Sequence, residues 1–227
     1  MISQICIGST VISLTSGGNV GTKRTTSEEP LCPELAERVN HKMQMIYHPL
    51  VTCPYYSSKD SAYLNKQLED IQTRLAGAVA SKNWSLYLML HARQFRLDAF
   101  EKIVEKMADK EYWQMLGEIW VDAEGPSLNK QKWIRCLSSP RTQREQFMTP
   151  RDRQAFKQLP ATMVAYRGCI AGLNEDGLSW TLSKPKAQWF AKRIGEDDPT
   201  VKQRVVSKSE VFAYLNTRKE RELVILS

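Results

Sequence analysis

The stretch Pro160-Ala161-Thr162-Met163-Val164-Ala165-Tyr166-Arg167-Gly168 divides the chain into two kinds of sequence. Ahead of it, apolar residues recur at three- and four-residue spacing; from it onward, short β-favouring runs are separated by polar turns. Met163 to Tyr166 predicts a strand bounded by Gly168. Leu178 to Leu182 follows the turn-like Asn174-Glu175-Asp176-Gly177 and alternates Ser179, Thr181 and Ser183 with Trp180 and Leu182. Lys184 to Arg193 predicts a helix capped by Ser183, with Ala187, Phe190 and Ala191 on its buried side. Val201 to Val206, Val211 to Leu215 and Glu222 to Leu226 complete a set of strands.

Working back toward the N-terminus, the period is helical. Thr149-Pro150 pairs a capping hydroxyl with proline at the first helical position, and Pro160 closes that helix. Ser127, after the breaker Gly125-Pro126, caps a helix bearing Leu128, Trp133, Ile134 and Leu137. Tyr112, Met115, Leu116 and Ile119 mark another. Trp84, Tyr87, Leu88, His91, Phe95 and Ala99 form one stripe, continued by Ile103 and Met107, which predicts a helix from Asn83 with His91 packed rather than catalytic. Leu64, Leu68, Ile71 and Leu75 predict a helix from about Ser61. Pro49 and Pro54 punctuate a stretch expected to be irregular, and residues 1–30, rich in Ser, Thr and Gly, read as a flexible leader. The expected organisation is a leader over 1–30, a helical region over 31–159 and a mostly β part over 160–227, an α+β chain.

Composition narrows the function classes. The chain has 227 residues with 25% charged and 42% apolar side chains, enough for a packed core. No apolar run approaches the roughly 18 to 20 residues of a spanning helix. No Lys or Arg precedes the Ile/Val stretch near the start, as a secretory signal requires, so a cytoplasmic protein is expected. Cys6, Cys32, Cys53, Cys136 and Cys169 stand singly, and His41, His48 and His91 form no HxxxH or HExxH pattern, so neither a disulfide framework nor a metal site is expected. The net charge of +7 is local: Lys130, Lys132, Arg135, Arg141, Arg144, Arg151, Arg153 and Lys157 face only Glu145 and Asp152 in one stretch. Interleaved with Trp133, Phe147 and Phe156, this stretch has the residue types that track and stack single-stranded nucleic acid, and also those of a solvated helical face.

Three C-terminal segments carry the chemistry: Tyr166-Arg167-Gly168 at a strand end, Gly177-Leu178-Ser179-Trp180-Thr181 followed by a helix, and Glu220-Arg221-Glu222 opening the last strand. An arginine, a small-hydroxyl strand and a Glu-x-Glu strand in that order resemble the Arg–Ser–Glu class of mono-ADP-ribosyltransferases. The likeness is greatest to the ADP-ribosyltransferase-like proteins of phages and prophages, where a similar Gly-Leu-Ser-Trp-Thr-Leu run recurs. It covers roughly residues 160–227. The class usually has Ser-Thr-Ser where this chain has Ser179-Trp180-Thr181, so the outer positions match in kind and the centre does not.

The resemblance implies an NAD-binding core in which NAD is the substrate and no metal takes part. Cleaving the nicotinamide–ribose bond leaves a cationic sugar beside a diphosphate, which asks for a carboxylate at the sugar and a guanidinium at the phosphates. On this reading Glu222 holds the ribose 2′-hydroxyl and the sugar cation, and Arg167, with Tyr166 beside it, binds NAD at the phosphates or the adenosine ribose. Ser179 and Thr181 line the cleft from one strand face, Ser179 orienting Glu222, while Trp180 points into the core. Glu220, on the same strand face as Glu222, orients the acceptor. Phe190 is read as core, with stacking of Phe190 or Trp189 on nicotinamide as the lesser alternative. The implied activity is transfer of ADP-ribose to a macromolecule, protein or nucleic acid, by a phage effector or a toxin of a phage-defence system, with an antitoxin or regulatory protein as a further partner. NAD hydrolysis and a noncatalytic nucleotide- or nucleic-acid-binding module are the alternatives.

Overall fold

Helix starts follow the local chemistry. The Thr149 hydroxyl accepts the Asp152 N–H at 3.1 Å, and Pro150 occupies the first turn, where its missing N–H costs nothing. The Asn83 side chain accepts the Leu86 N–H at 3.0 Å in the same way. In this computed structural model the described residues are 6–7, 10–11, 29–123, 129–172, 174–194 and 199–226. Most of the expected leader, the Gly125-Pro126 breaker and the Ser127 cap lie outside them.

The elements run in this order: β1 (Cys6–Ile7) and β2 (Thr10–Val11), an antiparallel pair; α1 (Pro33–Ala36); β3 (Val39–Asn40), β4 (Met45–Tyr47) and β5 (Thr52–Cys53), a small antiparallel sheet; then helices α2 (Ser61–Ala80), α3 (Trp84–Met89), α4 (Arg96–Glu101), α5 (Asp109–Asp122), α6 (Lys130–Leu137) and α7 (Pro150–Lys157). The C-terminal part comprises β6 (Thr162–Ile170), β7 (Ser179–Thr181), α8 (Lys184–Ile194), β8 (Pro199–Ser207), β9 (Val211–Leu215) and β10 (Glu222–Ile225). Its five strands pair antiparallel in the order β8-β6-β7-β10-β9. The chain is α+β, with the helices α2 to α7 preceding the five-stranded sheet.

Three expectations need correction. The stretch around Pro49 and Pro54 is not irregular but holds β3, β4 and β5, whose two or three residues each are too short to show alternation. Ile46 and Val51 there are buried with Leu35, Leu64 and Leu68 in a small second core. The stripe from Trp84 is not one helix. The Ala92 N–H donates to the Pro49 carbonyl at 2.8 Å, and Arg96 Nε donates to the His91 carbonyl at 3.0 Å. Tertiary partners thus take backbone groups that a continuous helix would have used, and the chain breaks between α3 and α4 while Trp84, Leu88, His91, Ala99 and Ile103 stay buried. His91 is packed, with Nδ1 2.8 Å from the Tyr87 carbonyl. Third, β6 runs past Gly168 to Ile170, because β8 pairs with it along its whole length.

Gly168 has a different task. A Cβ there would lie 2.1 Å from the Ala187 carbonyl and 2.5 Å from the Ala191 nitrogen, so glycine lets the backbone of α8 rest on β6. The main core is shared by both parts of the chain: Phe100, Trp113 and Leu116 are buried in one cluster with Val206, Leu223 and Ile225. Seven rings run through it in series, Phe100, Tyr112, Trp113, Phe212, Phe147, Trp120 and Trp133, with adjacent centroids 4.9–6.1 Å apart. Helical region and sheet are joined by packing, not merely by sequence.

Candidate functional site

Register across the sheet assembles the site. Tyr166 lies opposite Thr181, Thr181 opposite Glu222, and Ser179 two residues along β7, opposite Val224. With side chains alternating, Tyr166, Thr181, Ser179 and Glu222 share one face. They line a cleft of about 390 Å³ together with Arg167 and Glu220, and with Trp120, Asn174, Phe190, Arg193 and Arg218. All six residues singled out from the sequence therefore meet in one place.

Arg167 is fixed by backbone. Nε donates to the Asn174 carbonyl at 3.0 Å and Nη1 to the Ser179 carbonyl at 2.5 Å, while Nη2 makes no hydrogen bond among the described residues. Burial pulls its pKa down, an effect countered by Cys169 and by the Asp176 and Glu222 carboxylates, but an arginine keeps its proton. A Cβ on Gly177 would sit 1.9 Å from Nη2, so that glycine makes the room the guanidinium occupies.

Glu222 is held from two sides. The Ser179 hydroxyl donates to Oε1 at 2.5 Å and the Trp120 indole N–H donates to the same oxygen at 3.2 Å. Burial pushes the carboxyl up to about 7, and Glu220 adds to the rise; the Ser179 and Trp120 hydrogen bonds and the Arg218 charge oppose it. Among the described residues Glu222 forms no ion pair.

The two glutamates do not share a strand face. Lys219 and Arg221 have φ of 56° and 49°, and β10 starts only at Glu222. Glu220 reaches the same cleft from the turn, since left-handed backbone at its neighbours breaks the strand alternation. Thr181 is committed as well: its hydroxyl donates to the Glu220 carbonyl at 2.6 Å and accepts the Ser183 N–H at 3.0 Å. It thus ties the turn to β7. Trp180 is buried in the core, its indole N–H donating to the Gly177 carbonyl at 3.0 Å. Phe190, read as core, is only half-buried and lines the cleft.

The basic stretch is largely engaged within the fold. Lys130 pairs with Asp176, Lys132 with Asp98 and Arg135 with Glu101. Arg141 donates to the Val104 and Met107 carbonyls, each at 2.8 Å, contacts Asp109 and stands over the Tyr112 ring. Arg144 stands over Phe212, and Arg153 donates to the Met148 carbonyl at 2.7 Å. Trp133 and Phe147 are buried and present no face on which a base could stack.

No family model matches the chain, and no curated protein or solved structure matches it. Among the described residues no group of His, Cys, Asp and Glu is placed to hold a metal, and no helix is long and apolar enough to cross a membrane. Sequence reasoning missed Trp120, Asn174, Arg193 and Arg218. Arg218 stands two residues before Glu220 and could have been flagged as a cation beside the acidic pair. Nothing local marks Trp120, which reads as one more residue of an apolar helix face.

Proposed function

We propose that this protein is an NAD-dependent mono-ADP-ribosyltransferase. The observation that carries the reading is the junction at Ser179, whose carbonyl takes the Arg167 guanidinium and whose hydroxyl takes the Glu222 carboxylate, setting cation and anion in one cleft. A diphosphate and an adjoining sugar cation need that pair of charges at fixed separation. Arg167, with Arg193 and Arg218 on the same walls, takes the phosphates. Glu222 accepts from the ribose 2′-hydroxyl and stabilises the positive charge that grows on the sugar as nicotinamide leaves with the electrons of the glycosidic bond. A nucleophile of the acceptor then bonds to that ribose carbon and gives up its proton to water, with Glu220 at the turn to orient it.

A half-buried carboxylate with no ion-pair partner among the described residues is costly to the fold, which favours a working group over a structural one. That cost supports an enzyme rather than a noncatalytic module. The acceptor we propose is protein, because Trp133 and Phe147, which would have stacked bases, are buried, and Lys130, Lys132, Arg135 and Arg141 of the basic stretch are paired within the chain. The likeness to phage and prophage proteins supports a role as a phage effector or defence toxin in a bacterial cytoplasm.

The test is incubation of the purified protein with labelled NAD and a bacterial lysate divided into protein, RNA and DNA, beside Glu222→Gln. Label in the protein fraction, absent with the variant, is the expected result. Label in nucleic acid would correct the acceptor; nicotinamide release without label would make the protein a hydrolase; silence throughout would overturn the reading.

A further inference from the structure

Trp120 comes from α5, outside the sheet that carries the other residues around Glu222. It is buried, edge-on to Trp133 with centroids 4.9 Å apart and to Phe147 at 6.1 Å, so its ring has little freedom to turn. Two residues on, Asp122 is paired with the buried Arg96 and lies 3.4 Å from Arg93 Nε, which pins the last turn of the helix. The indole N–H therefore reaches the carboxylate from a rigid support. Both donors, Trp120 and Ser179, meet Oε1, and Oε2 accepts no hydrogen bond among the described residues.

We propose that Trp120 is a positioning residue for Glu222: its N–H, with the Ser179 hydroxyl, turns the carboxylate so that Oε2 faces the reacting sugar. The proposal rests on the transferase reading for what Oε2 meets, but the link between indole and carboxylate stands on its own geometry. A hydrogen bond to an ionised group is stronger than one to its neutral form, so the donor acts on charge and orientation together. The other groups that bear on Glu222 are Glu220 and Arg218 from the turn before β10, Arg167 from β6, Ser179 and Thr181 from β7, and Arg193 from α8. None of these comes from the helical region; Trp120 is that region's polar contact with the carboxylate.

The experiment follows the Glu222 carboxyl carbon by NMR in protein labelled with ¹³C at glutamate Cδ, its resonance identified by absence from Glu222→Gln. Wild type is compared with Trp120→Phe, and with protein carrying benzothienylalanine at position 120, which keeps the bicyclic shape and replaces N–H by sulfur. Both substitutions should move the Glu222 titration upward by about one pH unit. Nicotinamide release from NAD near pH 7 should fall about tenfold, with KM for NAD changed less than about twofold. A titration that stays in place in the benzothienylalanine protein would overturn the proposal, as would equal loss of kcat and rise of KM. Should wild type release no nicotinamide from NAD, the transferase reading falls, and the titration alone decides whether Trp120 acts on Glu222.

Discussion

Arg167 donates through Nη1 to the carbonyl of Ser179 at 2.5 Å, and this contact joins the cation of the site to its carboxylate, because the hydroxyl of the same serine reaches Glu222. Gly177 allows it by leaving free the space where the guanidinium lies. Gly177→Ala should displace the end of Arg167 rather than any backbone, since the near atoms belong to a flexible side chain. On the proposed reading the expected outcome is NAD binding weakened on the order of tenfold by calorimetry, with a stability loss of about 1–3 kcal/mol as the Asn174 and Ser179 carbonyls lose their Arg167 donor. A large fall in stability with unchanged affinity would contradict this.

Burial of Glu222 gives a stability prediction with a definite sign. Its carboxyl rises from an ordinary 4.5 to about 7, so between those values the folded chain keeps a proton that the unfolded chain has released. Stability therefore falls as pH rises through that window, and the whole penalty is present above it. Glu222→Gln removes the charge, and its amide oxygen can still accept from Ser179 and Trp120. Denaturant unfolding should show the variant more stable than wild type by roughly 1–3 kcal/mol at pH 8, with the difference closing below pH 5.

On the proposed transferase reading, the same group governs rate. Only the ionised carboxylate stabilises a sugar cation, so kcat/KM for NAD cleavage should climb with pH and level off above about 7. Removing the Ser179 hydroxyl, which favours the anion, should carry that rise to higher pH. A Ser179→Ala profile superimposable on wild type would separate the serine from the titration of Glu222.

At Gly168 the contacts are backbone. An added Cβ meets the Ala187 carbonyl and the Ala191 nitrogen at 2.1 and 2.5 Å, so α8 must lift away from β6. Gly168→Ala should destabilise the fold by about 2–3 kcal/mol, measured by denaturant unfolding. Because Phe190 and Arg193 of that helix line the cleft, the proposed NAD binding should weaken too.

Arg141 and Arg151 separate structural from surface charge. Arg141→Ala takes the side-chain donor from the Met107 carbonyl and leaves the Val104 carbonyl with the Met107 N–H at 3.3 Å, and should cost about 1–3 kcal/mol. Arg151 is exposed, and Arg151→Ala should change stability by less than about 0.5 kcal/mol. Thermal unfolding of the two variants side by side checks both statements.

Much of the fold was legible because its signals are local. The Thr149-Pro150 cap starts α7, the Leu64/Leu68 stripe is the buried face of α2, and the strands after Pro160 fall close to where alternation put them. The break between α3 and α4 was not legible. Trp84 to Met107 keeps its helical period because the residues are buried either way, and the break depends on Pro49, far off in sequence, accepting from Ala92. The small sheet around Ile46 escaped for the opposite reason, its strands being too short to carry a period.

At the cleft, sequence alone determined which residue types were available: Arg167, Ser179, Thr181, Glu220 and Glu222, in the order that carries the resemblance on which the proposed function rests. Strand periodicity was enough to put Ser179 and Thr181 on one face. Tertiary structure decided what each group does with its hydrogen bonds. It turned the Thr181 hydroxyl to the Glu220 carbonyl, took Glu220 off the strand, drew the basic stretch into ion pairs and backbone contacts, and brought Trp120 across 102 residues to Glu222. The physical reason is that residue type sets what a side chain can donate or accept, while packing between distant elements sets which partner comes within 3 Å of it.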